Sequence, residues 1–176
     1  LFGAVFCIPS GGLHAVKRNV LVVTNITATS EELRRELVAR AQRAPAAFTL
    51  IVPATPFGGG RAAARAQLTE ALEHLRAAGL EVDGSVGAGD PISAVSDVWD
   101  PKRFDEIVVS TLPMRLSRWL NAGLPERVER LTGAPVTHVV SAPPKPAVET
   151  VAAPPHENRG VMAPLSVMSW GGQKQP

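Results

Sequence analysis

One cysteine, Cys7, stands in a chain of 176 residues. A single thiol excludes an intramolecular disulfide framework and a thiolate metal cluster, and it fits a reducing compartment, the cytoplasm. Long apolar runs are also missing: none approaches the roughly 18 residues that a membrane span requires. The apolar opening LFGAVFCIP is short and follows no basic stretch, so it does not read as a signal peptide. Charge of one sign is lacking too. With 18 Lys and Arg against 16 Asp and Glu, the formal net charge is +2, too balanced to mark a nucleic-acid surface. His14, His74, His138 and His156 are scattered, with no partner His or Cys at metal-ligand spacing. No serine sits in a G-x-S-x-G elbow, and Asp97, Asp100 and Asp105 read as solvated groups. No catalytic constellation emerges, which points away from an enzyme.

What is present is an ordinary globular composition, 45% apolar and 19% charged, with strand and helix patterns in alternation. Val20–Thr24 (VLVVT) is a β-branched run without alternation, as expected of a strand covered on both faces. Thr29 with Glu32 three residues on forms a capping-box pattern, followed by Leu33, Leu37 and Ala41 at helical spacing. Pro45 ends that helix. Phe48–Val52 is a second buried strand. A Pro- and Gly-rich loop leads to a longer helix with Ala64, Leu68, Leu72 and Leu75 inward and Gly79 as its stop. Leu80–Val86 is a weaker strand. Asp90 and Pro91 open a helix as cap and first residue, with Ile92, Val95 and Trp99 on its inner face. Ile107–Val109 is a buried strand that runs into a polar turn at Ser110 and Thr111. A helix opened by Pro125 and a strand from Pro135 to Val140 close the unit.

This order predicts an α/β fold: a single open, five-stranded, mostly parallel sheet flanked by helices on both faces, Rossmann-like in layout. The folded domain is expected over residues 18–141. Residues 1–17 read as an N-terminal leader or an over-extended start. Residues 142–176 read as a Pro-rich linker followed by an apolar tail. Within that tail Met162, Leu165, Met168 and Trp170 form an apolar segment that either folds back on its own domain or docks on a partner.

The order and spacing of four segments resemble the universal stress protein family. VLVVTNIT is similar to that family's first strand and following turn, and GAGDPISAVSD to its third-helix start. FDEIVVS is similar to its fourth strand, and LSRWLNAGLPERVERLTGAPVTHVV to its last helix and strand. The resemblance spans about Val20 to Val140. It implies a five-stranded parallel α/β domain, a homodimer, a role in stress response and, in one branch of the family, ATP binding with Mg2+ through a spaced glycine motif. This chain departs from that motif. Its first glycine falls at Ser110, its second near Leu112 or Pro113 in a loop one residue shorter, and its late Gly-Ser pair at Ala122 and Gly123. The acidic residue after the first strand is Asn25. Proline at 113 also removes an amide that would face phosphate.

Ligands of open α/β sheets bind outside the carboxyl ends of the strands, at the switch point of the topology. The candidates are therefore Asn25, then Gly87, Gly89 and Asp90 after the third strand, and Ser110, Thr111, Arg115, Arg118 and Gly123 in the last crossover. Two hydroxyls and two guanidiniums can hold a phosphate without glycines; the same residues also serve as turn formers and solvated surface charges. Asn25 either bonds a base or ribose edge or simply shapes its turn. Gly58–Gly60 is followed by Arg61 rather than Lys-Ser/Thr, so it reads as a surface loop and not a P-loop. Two function classes follow: a non-catalytic regulatory domain with a degenerate adenine-nucleotide pocket, or a scaffold that acts through its C-terminal tail.

Overall fold

The computed structural model describes residues 16–143. Most of the expected leader and the tail residues Met162, Leu165, Met168 and Trp170 lie outside the described residues. Among the described residues a five-stranded sheet runs in the order β3-β2-β1-β4-β5. The strands are β1 (Arg18–Val23), β2 (Ala46–Pro53), β3 (Glu81–Gly87), β4 (Glu106–Thr111) and β5 (Val136–Val140). Every neighbouring pair is parallel. The helices are α1 (Glu31–Arg43), α2 (Gly60–Ala77), α3 (Pro91–Val98), the short α4 (Arg118–Asn121) and α5 (Leu124–Thr132). None of them is long and apolar enough to cross a membrane.

The two-residue period of the strands sorts the core into two layers. Val20 and Val22 of β1, with Phe48, Leu50 and Val52 of β2, pack under Leu33 and Leu37 of α1 and Ala64, Leu68, Ala71 and Leu75 of α2. Leu21 and Val23, with Ile51, Ile107 and Val109, face Ala94 and Val95 of α3 and Leu124 and Val128 of α5. A strand buried on both faces needs apolar residues at every position, which is why β1, β2 and β4 read as continuous runs rather than alternating ones. At the amino end of the sheet, Arg40 of α1 bonds Glu36 on its own helix, Glu106 on β4 and Thr137 on β5. Burial works against the Arg40 charge, but the carboxylates of Glu106 and Glu36 more than offset it and raise its pKa.

Three local expectations change. Ser30, not Thr29, caps α1: its Oγ accepts the Leu33 amide at 3.3 Å. The third helical residue is then Leu33, so the Thr29–Glu32 capping box does not form. Ser30 also donates to Ser141 Oγ at 2.8 Å, and this distant partner selects which hydroxyl starts the helix. Ser110 and Thr111 are strand residues rather than a turn, paired with Val139 and Val140 of β5; their polarity is absorbed by buried partners. Trp99 lies one residue past the end of α3 and stacks on Phe104, with ring centroids 6.1 Å apart; it and Ile92 still pack against the core, as expected, beside the fully buried Ala94 and Val95.

Gly87 closes β3 where α3 lies nearest the sheet. A Cβ at this position would sit 2.6 Å from Ala94 Cβ and 2.9 Å from Ile51 Cγ2. Both neighbours are stiff, so the approach of α3 depends on the missing side chain. Gly87→Ala should destabilise the domain by about 1–3 kcal/mol through overpacking, measured as a lower urea midpoint; an unchanged midpoint would mean that α3 shifts freely.

Candidate functional site

The chain winds from β1 outward to β2 and β3, then returns to lay β4 on the other side of β1. The crossovers before and after this reversal leave the sheet in opposite directions, and a crevice opens between the carboxyl ends of β1 and β4. A cavity of about 400 Å³ occupies this point. Its wall is made by Asn25, Ile26 and Thr27 after β1, Thr55 and Gly58 after β2, Ser110 and Thr111 at the end of β4, and Leu112, Leu116, Ser117, Arg118 and Trp119 in the crossover.

Of the expected residues, Asn25, Ser110, Thr111 and Arg118 meet in this cavity, whereas Gly87, Gly89, Asp90, Arg115 and Gly123 are not among its lining residues. The Asp90 carboxylate caps α3, accepting from the Ser93 amide at 2.9 Å and from its hydroxyl at 3.1 Å. A Cβ on Gly89 would stand 3.3 Å from the Ala54 carbonyl, so that turn is closely packed. Gly123 takes φ 62° at the N-cap of α5, a conformation that favours glycine. Ile26, Thr27, Thr55, Gly58, Leu112, Leu116, Ser117 and Trp119 were not singled out as ligand contacts from the sequence. The signal that would have found them is positional: each follows the carboxyl end of a central strand or lies in the last crossover. Gly58 has a geometric reason, since a Cβ there would lie 2.6 Å from Thr55 Oγ1 and narrow the cavity wall.

Beneath the cavity five buried hydroxyls form one relay. Ser30 donates to Ser141; Ser110 donates to Thr27 at 2.8 Å; Thr27 donates to the Ser110 carbonyl at 3.2 Å. Each hydroxyl has one proton, so the remaining contacts have only one direction. Ser141 donates to Ser110 across 3.0 Å, and Thr24 donates to Thr27 across 3.1 Å. The relay joins the start of α1, the turn after β1, the end of β4 and the residue after β5. All five residues are at most 9% exposed, so an unmatched hydroxyl here would carry its full desolvation cost.

Thr111 uses its proton on the Leu112 carbonyl at 3.0 Å. His138, across the ladder on β5, therefore donates through Nε2 to Thr111 Oγ1 at 2.8 Å. Partial burial lowers the His138 pKa, opposed by the charge of Glu126. In the crossover the Pro113 carbonyl takes the amides of Leu116 and Ser117 at 2.8 and 3.0 Å, and Ser117 Oγ takes the Leu120 amide at 3.2 Å.

Chemically, the crevice offers one guanidinium at its mouth, the Asn25 amide, a floor of internally bonded hydroxyls and apolar walls. Among the described residues no Asp, Glu, His, Cys or Lys lines it. Among the described residues no group of three or more His, Cys, Asp or Glu is arranged to hold a metal ion. Ser110→Ala would leave the Ser141 proton without its acceptor and should cost about 1–3 kcal/mol. The expected reading is a lower urea midpoint at an unchanged m-value; no change would show that the relay is not held in solution.

No family model and no curated protein sequence matches the chain. Solved structures do. A universal stress protein in complex with cAMP is 23% identical, with a TM-score of 0.51, covering 71% of this chain and 98% of that one. A universal stress protein from Archaeoglobus fulgidus in complex with dAMP is 16% identical at a TM-score of 0.51, covering 70% of this chain and 97% of the other. A further structure of the universal stress protein from the same organism is 15% identical, again at 0.51, covering 69% and 93% of the two chains. With its all-parallel sheet in the order β3-β2-β1-β4-β5 flanked by helices, this chain has the fold of the universal stress proteins.

Proposed function

We propose that the domain is a non-catalytic regulatory module that binds an adenine nucleotide in the crevice between β1 and β4. The observation that carries this reading is the convergence of Asn25, Arg118 and Trp119 around a cavity at the switch point of the sheet. Asn25 offers a donor and an acceptor for a base or ribose edge, Trp119 an aromatic wall, and Arg118 a charge for phosphate. Support comes also from two structures of the same fold, solved in complex with cAMP and with dAMP. The described lining residues include no group that would serve as a general base near neutral pH, which favours binding and release over turnover. A reducing cytoplasm suits a chain with one cysteine, and a part in stress response rests on the fold alone.

Titration calorimetry with AMP and cyclic AMP should give saturable binding in the micromolar range, weakened about tenfold by Arg118→Ala, the scale of one charge-assisted hydrogen bond. Absence of heat up to millimolar ligand would overturn the reading. The alternative, a scaffold acting through Met162, Leu165, Met168 and Trp170, would then be tested by deleting that segment in a binding assay.

The second part of the proposal is a homodimer built on β5. Among the described residues this strand is an edge of the sheet, and Val140 is 48% exposed. Unpaired edges with exposed apolar residues invite strand pairing. Sedimentation should show a dimer that Val140→Lys converts to monomer; a monomeric parent protein would rule this out.

A further inference from the structure

We infer that the domain has a second small-molecule site, at the amino end of the sheet, that takes a compact dianion of the phosphate monoester class. It stands apart from the crevice and does not depend on the ligand proposed there.

The site is a cavity of about 400 Å³ lined by Arg18, Arg40, Arg43, Ala44, Ala46 and Glu106. Arg18, Ala46 and Glu106 are the first residues of β1, β2 and β4, so the parallel sheet puts this cavity at the end opposite the crevice. Arg40 and Arg43 come from the last turn of α1. The backbone holds these segments side by side. The Arg18 amide donates to the Pro45 carbonyl at 2.9 Å, and Arg18 lies opposite Ala46 in the ladder. The turn from α1 to β2 is thereby pinned to the start of β1, and it brings Arg43 to the same cavity as Arg18.

The charges at this cavity do different jobs. Arg40 is committed to the fold: its guanidinium donates to Glu36 at 2.8 Å, to Thr137 at 2.7 Å and to Glu106. That ion pair also occupies Glu106, the one carboxylate among the described lining residues. Arg18 and Arg43 are both exposed. Among the described residues neither guanidinium has a hydrogen-bond or ion-pair partner. Two uncommitted positive charges therefore border one cavity.

Helix electrostatics account for only one of them. Arg43, in the last turn of α1, complements the negative end of the helix dipole. Arg18 stands on a strand, and a sheet has little net dipole to balance. Its charge adds to that of Arg43 rather than relieving it. An anion seated between the two arginines would turn this repulsion into attraction.

The ligand class follows from charge, shape and size. A guanidinium presents parallel N–H donors that match two oxygens of a phosphate. A phosphate monoester carries nearly two negative charges at pH 7, one for each uncommitted arginine. The cavity is near the low end of small-ligand pockets, about 300–1,000 Å³. It suits a phosphate group on a small body rather than a long chain of phosphates.

The test is titration calorimetry of the full chain with glycerol 3-phosphate at low ionic strength. The ester should saturate one site per chain. Arg18→Ala and Arg43→Ala should each weaken it about tenfold, the scale of one hydrogen bond to a charged group. Arg65→Ala removes the same charge from α2, away from the cavity, and should change the affinity by less than about twofold. All three side chains are exposed, so the core is left intact. Absence of saturable binding would overturn the inference. So would an equal loss in all three variants, which is general charge attraction rather than a site. Loss on Arg118→Ala with no change on Arg18→Ala or Arg43→Ala would put the ester in the crevice, overturning this inference while favouring the function proposed above. Vesicles of phosphatidic acid carry the same headgroup on a membrane; capture by vesicles without binding of the soluble ester would also overturn a small-molecule site.

Discussion

Val20, Leu21, Val22 and Val23 are completely buried, and the strand they form has a parallel neighbour on each side. Parallel pairing admits no tight hairpin, so each connection out of and back to this sheet is a helical crossover. Right-handed crossovers on the two sides of β1 place their helices on opposite faces. This produces both the layering of the core and the gap above the carboxyl ends of β1 and β4. The burial of this strand, at about 1.5–3 kcal/mol for each large apolar side chain, therefore stabilises the fold and shapes the crevice together.

The polar groups around that gap carry a second constraint. Backbone and side chains at strand ends must find hydrogen-bond partners once the helices have covered them. The relay from Ser30 through Ser141 and Ser110 to Thr27 does this with side chains from three separate segments. It also ties the residue after β5 to the start of α1, so the closing strand is locked to the first helix. The consequence for ligand binding is a floor whose hydrogen bonds are already spent. Groups that look like phosphate ligands when read in order along the chain are structural groups first, while the apolar side chains of the crossover line the wall of the cavity.

The fold is shared with universal stress proteins at 15–23% identity. Such likeness at low identity follows from the physics of the sheet. A doubly covered strand requires apolar residues of suitable size and permits many combinations of Val, Ile and Leu. The loops at the carboxyl ends are under different demands and vary more freely. In this chain those loops bring Asn25, Ser110, Leu112 and Trp119 to the crevice wall, so the fold persists while the lining of the crevice follows from its own loop residues.

The amino-acid sequence by itself determined the layout of the elements. The runs at Val20–Thr24, Phe48–Val52 and Ile107–Val109, the inward stripes of α1 and α2, the Asp90–Pro91 helix start and Gly79 are local signals, and they correspond to elements seen in the structure. The same topology marked the end of β4 as the place to look for a ligand. Only the tertiary structure decided which residues meet there. Ser30 rather than Thr29 became the cap because Ser141, 111 positions away, supplies its partner. Ser110 and Thr111 became strand because β5 pairs with them. Thr55 and Gly58 joined the cavity from the neighbouring strand end, while Gly87 and Asp90 were taken up by the packing and capping of α3. Periodicity and capping act within a few residues and can be read along the chain, whereas the partners of a buried hydroxyl, or the members of a cavity wall, are set by contacts between segments that the chain brings together only on folding.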